Sequence, residues 1–146
     1  MDKLLNQYLA DLVVEYHKLQ NFHWYVKGKD FFVAHAKLEE LYNGINGAID
    51  EVAENILMLN EKPLGSLKDF LEVSQIKEAK MEAIKSKDIF REVHKDFGYL
   101  LNSVKAIKKE ADAQENYVIS ALMDDYMKEY AKMIWMINSL DIIKED

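Results

Sequence analysis

His35-Ala36-Lys37-Leu38-Glu39 and Asp50-Glu51-Val52-Ala53-Glu54 lie in one run, 31–60, that reads as a single helix. Leu38, Tyr42, Ile45, Ile49, Val52 and Ile56 recur at intervals of three and four, the period of one buried face. His35 and Glu39 are four residues apart, as are Asp50 and Glu54, so each pair stands one turn apart on the helix surface. Successive residues turn by about 100°, and fifteen positions therefore return to within about 60° of the start. All four side chains share one broad stripe. At about 1.5 Å of rise per residue, His35 and Asp50 are nevertheless about 22 Å apart, far beyond the reach of shared coordination. A single site needs two copies of the helix running antiparallel across a two-fold axis, with His35 and Glu39 of one chain facing Asp50 and Glu54 of the other. The residues thus propose a metal site and a dimer together.

Outward from this run, the chain reads as helix on both sides. Leu5, Leu9, Leu12, Tyr16 and Leu19 form one stripe that ends at His23, and Val26-Lys27-Gly28-Lys29-Asp30 supplies a glycine terminator and an aspartate able to cap the next helix. Gly44 and Gly47 lie inside the second helix, where each costs up to about 1 kcal/mol relative to alanine; a close approach of another helix would explain them. Lys62-Pro63-Leu64-Gly65 breaks the chain, and Ser66 caps a short amphipathic piece with Leu67, Phe70, Leu71 and Val73. After a polar stretch, Ser86 can cap a third helix carrying Phe90, Val93, Phe97, Leu100, Leu101, Val104 and Ile107, which fades near Asp112. A fourth runs from about Glu115 to Leu140, with Val118, Leu122, Tyr126, Ile134, Trp135 and Ile137 as its buried candidates. Lys144-Glu145-Asp146 are expected to fray. Short links within each helix pair and a long crossover between the pairs fit an all-α, ferritin-like four-helix bundle with a short helix in the crossover between helices two and three.

The chain has 146 residues, enough for one domain, 1–146, with a real core. Five glycines and one proline agree with a nearly all-helical chain. Met1-Asp2-Lys3-Leu4-Leu5 has no secretory pattern, and no uncharged run is long enough to span a bilayer, so the chain is expected to be cytoplasmic with no membrane association. Without cysteine, thiolate ligands are excluded and a metal must be held by imidazole and carboxylate. A net charge of −7 opposes attraction to phosphate backbones and favours cation capture.

These donors suit iron, manganese, cobalt or zinc without choosing among them. His23 taken alone is more often a hydrogen-bonded core histidine than a ligand, and Asp50 with Glu54 alone could be a solvated helix face. Together, beside Ile49, Val52, Ala53 and Ile56, unpaired charges would be costly and a cation across an interface would offset that cost. His17 lies off the stripe of His23 and His94 has no acidic partner at helical spacing, so both read as surface residues. There is no Glu-x-x-His, the helix-borne motif of conventional di-iron bundles, so the ligand set is not the usual one within a single chain.

Asn21-Phe22-His23-Trp24-Tyr25-Val26-Lys27-Gly28, then Phe31-Phe32-Val33-Ala34-His35, Glu39-Glu40-Leu41-Tyr42, Ile49-Asp50-Glu51-Val52-Ala53-Glu54 and Lys62-Pro63-Leu64-Gly65-Ser66-Leu67-Lys68-Asp69-Phe70-Leu71-Glu72 resemble the signature of the Dps family of small ferritins. The resemblance covers about a third of the chain; the C-terminal half agrees in helical layout and in Trp135. It implies a hollow homo-oligomer, a dodecamer, with two-iron ferroxidase centres at two-fold interfaces that oxidise ferrous iron, preferably with hydrogen peroxide, and store ferric mineral inside. Its iron ligands carry over to His23 and His35, with Asp50 and Glu54 from the facing subunit. Glu39 stands where the family commonly has aspartate. Trp24 occupies the tryptophan position beside the centre, as an electron-hole relay or as interface packing. Family entry pores use aspartates near the start of the last helix; Asp112, Glu115, Asp124 and Asp125 are near, but Tyr117 and Ala121 fall by expected acidic positions. DNA-binding members carry a lysine-rich tail that these termini lack, which argues against direct DNA binding. Two rival readings are a nucleoid-compacting protein and a helical assembly protein with a structural zinc site.

Overall fold

The computed structural model describes residues 1–143, so the expected fraying of Lys144-Glu145-Asp146 lies outside the described residues. Among the described residues there are four long helices and one short one: α1 (Asp2–Tyr25), α2 (Phe31–Met58), the short α3 (Leu67–Val73), α4 (Ser86–Ala113) and α5 (Tyr117–Asn138). Two two-residue strands, β1 (Val26–Lys27) and β2 (Ile84–Lys85), pair in parallel. The order of elements, with the short helix in the crossover, is the one expected. The strand pair is not, because two residues carry no readable period.

Contacts group residues 2–89 into one compact unit and Met1 with the chain from Phe90 into another. In the first unit α1 and α2 form an antiparallel hairpin. His23 meets His35 near the turn, Tyr16 meets Tyr42 with ring centroids 5.7 Å apart, and at the far end Asn6 bonds the Lys62 carbonyl and the Leu64 amide. Leu5, Leu9, Leu12, Leu19, Leu38, Val52 and Ile56 are buried, each worth about 1.5–3 kcal/mol when removed from water. Ser66 caps α3 as expected, its Oγ accepting from the Asp69 amide at 3.2 Å. Asp11, fully buried on α1 together with Glu15 and Lys18, was not readable as core. Its carboxylate accepts from Ser74 Oγ and the Gln75 amide, both at 2.9 Å, and so ties the end of α3 to α1.

The expected caps at the hairpin differ. Asp30 stands at the N-cap of α2 but makes no side-chain cap bond, and Ser86 lies inside α4. Their side chains bond each other instead, Ser86 Oγ donating to Asp30 Oδ2. Gly28 has φ of 130°, outside the range that residues with a Cβ favour, and it turns the chain into α2. Among the described residues nothing approaches a Cβ built on Gly44 or Gly47 within 4 Å, so no described helix of the same chain explains them.

In the second unit, α4 and α5 are also antiparallel: Phe97 packs edge-on to Tyr130, and His94 bonds the Asn138 side chain at 2.9 Å. Asn116 caps α5 by accepting from the Ile119 amide. The buried face of α5 is Ile119, Met123, Tyr126, Tyr130, Met133 and Ile137. Val118 and Trp135, expected in the core, are 61% and 65% exposed because they fall off that stripe by one and two residues.

Candidate metal centre

The last turn of α1 carries His23 and the first turns of α2 carry His35, and the hairpin stacks their rings at 3.6 Å with planes 12° apart. Each ring is fixed by the other residue's backbone. His23 Nδ1 lies 2.6 Å from the His35 carbonyl oxygen and His35 Nδ1 lies 2.7 Å from that of His23. A carbonyl only accepts, so each Nδ1 carries the hydrogen, and in the neutral ring the lone pair sits on Nε2. The His23 carbonyl is one of the four that α1 leaves without an intrahelical partner, and the His35 imidazole satisfies it. Donation from the distal nitrogen to a carbonyl is the arrangement that orients metal-ligating histidines and selects their tautomer. Phe31, four residues before His35, stacks on its other side at 4.8 Å, and Tyr42 stands edge-on to His23 at 5.3 Å. These ring supports were not singled out from sequence, although the Phe31-to-His35 spacing was the available signal.

His23 is buried and His35 half-buried, whereas Glu39, Asp50, Glu54 and Trp24 are exposed. Glu39 lies within weak hydrogen-bond range of Tyr42 Oη at 3.4 Å. Partial burial, then the charge of Glu39 and this bond, raise the Tyr42 pKa above its usual value. Further along α2, a hydrogen bond that protonated Glu54 donates to Asp50, the negative charge of Asp50, partial desolvation and the charge of Glu51 all raise the Glu54 pKa. Asp50 and Glu54 thus repel each other as two free carboxylates and are eased by a shared proton or cation. The continuous helix keeps them away from the imidazoles. Among the described residues no three His, Asp or Glu side chains come together to hold a metal ion. His17 is exposed, as expected. Of the acids near the α4–α5 turn, Asp124 pairs with Lys108 at 3.0 Å and Asp112 lies 3.9 Å from it and accepts from Ser120 Oγ at 2.5 Å, so neither is a free carboxylate. No helix among the described residues is long and apolar enough to cross a membrane.

Two helical hairpins joined by a crossover that carries a short helix, the first with two imidazoles stacked beside its turn, are the element order of a ferritin-like protein. The profile described as a ferritin-like domain matches residues 2–144. The chain is 34% identical to the DNA protection during starvation protein of Helicobacter pylori over 137 residues, covering 94% of this chain and 95% of that one. The crystal structure of Helicobacter cinaedi CAIP superposes with a TM-score of 0.93 at 39% identity, covering 95% and 97% of the two chains. That of the Dps protein of Vibrio cholerae, described as a member of a broad superfamily of ferritin-like diiron-carboxylate proteins, does so with a TM-score of 0.92 at 36% identity, covering 95% and 87%. The chain belongs to the Dps family of ferritin-like proteins.

Proposed function

We propose that this chain is the subunit of a cytoplasmic ferroxidase and iron store, a hollow dodecamer that oxidises ferrous iron, preferably with hydrogen peroxide, and holds the ferric product as mineral. The observation that carries the reading is the reciprocal bonding of His23 and His35, which reserves both Nε2 lone pairs for a cation. The acidic half of the site comes from a second copy. His35 with Glu54, and Glu39 with Asp50, have the same midpoint along α2, beside Gly44, so one two-fold axis there brings both pairs into register at once. Gly44 leaves the space for that approach. Phe32 and Val33 near one end of α2, Leu57 and Met58 near the other, and Trp24 are large apolar side chains left exposed, as a surface awaiting a partner would be.

His23, His35 and Glu39 of one subunit and Asp50 and Glu54 of the other would hold two ferrous ions close together. Carboxylates favour the higher charge of the ferric product and so ease its formation. Each ion gives up one electron, peroxide takes both, and its O–O bond breaks to two hydroxides without release of a hydroxyl radical. Removing ferrous iron and peroxide together protects against oxidative stress. Manganese, cobalt and zinc match the same donors and would compete for the site. Anaerobic titration with ferrous iron followed by peroxide tests the reading. The expected result is rapid ferric absorbance and an electron-dense shell of dodecamer mass. A plain dimer, or a protein that binds zinc tightly and turns over no iron, refutes it.

A further inference from the structure

A groove of about 430 Å³ opens where β1, β2 and the start of α4 meet, lined by Lys27, Lys29, Lys85 and Lys87 together with Asp30 and Ser86. It shares no residue with the metal centre. Acids outnumber bases 26 to 19 in this chain, yet the groove is lined by four lysines and a single carboxylate. That carboxylate is engaged, since Asp30 accepts from Ser86 Oγ. None of the four ammonium groups has an ion-pair partner among the described residues. The parallel strand pair also sets Lys27 in register with Lys85, placing two like charges side by side, an arrangement that destabilises a sheet. The lining therefore carries more positive than negative charge, with Asp88 in the first turn of α4 the nearest acid along the chain.

The lining also limits which anion it can take. Ammonium groups bind phosphoryl oxygens as compact point charges, and the first amides of the 28-residue α4 add positive potential at the same end. There is no aromatic or branched apolar side chain in the lining against which a nucleobase could stack. The volume equals that of about fourteen waters at about 30 Å³ each, room for several linked phosphoryl groups. We propose that the Lys27–Lys85 pair, with Lys29 and Lys87, forms a binding site for a short linear oligophosphate, recognised through its phosphoryl oxygens alone.

Calorimetric titration of the assembled protein with inorganic tripolyphosphate, at low and at physiological salt, tests this. Binding is expected at low salt and should weaken as salt screens the lysines. Lys27→Gln/Lys85→Gln should weaken it by about tenfold or more, while Lys27→Arg/Lys85→Arg keeps it. Lys77→Gln/Lys80→Gln, which removes the same charge from exposed positions of the crossover, should leave it within about twofold. Should the first pair assemble poorly, Lys29→Gln/Lys87→Gln reads the same loss outside the strand pair. Adenosine triphosphate is expected to bind no more tightly than tripolyphosphate, and a short DNA duplex is expected not to displace it. No binding by the unsubstituted protein, equal losses in the groove and crossover variants, or tighter binding of the nucleotide or the duplex would each overturn the proposal.

Discussion

Two imidazoles that each donate to the other's backbone carbonyl cannot turn independently, so His23 and His35 behave as one unit in which either ring fixes the tautomer of its neighbour. The spacing to Glu39 singled out His35, whereas His23 read by its own spacing as the end of an apolar stripe and entered the ligand set only through the family resemblance; the hairpin places its ring 3.6 Å from that of His35. Trp24 follows His23 directly and is 62% exposed, so within one chain it packs against little. A tryptophan there can lose an electron to a stray oxidant, and we propose that it traps holes during turnover. Trp24→Phe should then leave ferrous binding unchanged and raise spin-trapped hydroxyl radical several-fold during peroxide consumption. Unchanged radical yield would leave Trp24 only a role in packing between subunits.

The elements were legible wherever their signal was local. Ser66 capped α3 from sequence alone because the cap bond spans three residues. Ser86 and Asp30 carried equally good cap chemistry and failed as caps, because they are 56 residues apart and found each other. On α2 the signal that mattered was an absence. Gly44 is exposed and no atom among the described residues comes within 4 Å of a Cβ built on it, so a side chain there starts in open space and improves the helix by up to about 1 kcal/mol. If α2 packs on a second copy of itself at Gly44, Gly44→Leu should nonetheless abolish assembly and most iron oxidation while helical content is kept. Light scattering and circular dichroism read the two effects separately. An intact, active oligomer would remove Gly44 from any helix crossing.

At the scale of the assembly, the shared site makes a prediction about mixtures. His35→Ala removes the imidazole side of both sites in a symmetric pair, and Asp50→Ala removes the acidic side of both, so each variant alone should oxidise iron poorly. A mixed pair rebuilds one intact site from the unaltered halves. With random pairing, about a quarter of all sites should recover, and peroxide-driven oxidation by co-assembled variants should rise accordingly over either variant alone. No gain in verified mixed assemblies would end the shared-site reading. The same multiplication acts on charge. Each chain carries −7, and an oligomer repeats it, so long duplex DNA should be repelled at physiological salt even though one groove is locally basic. A clear mobility shift without added divalent cations would contradict this.

By itself the sequence determined the helices, the short helix of the crossover and the two four-apart ligand pairs on α2, because each is set by a period or a cap within a few residues. It also determined that His35 and Asp50 cannot share an ion within one chain, since helix rise is a constant of the backbone. Tertiary structure alone decided the bonding between His23 and His35, the burial of Asp11 and the alignment of Lys27 with Lys85. It also put Val118 and Trp135 outside, since the phase of a helix about its axis follows from what it packs against. These contacts join residues far apart in the chain, and they form only when whole helices have packed, so no local pattern of residues announces them.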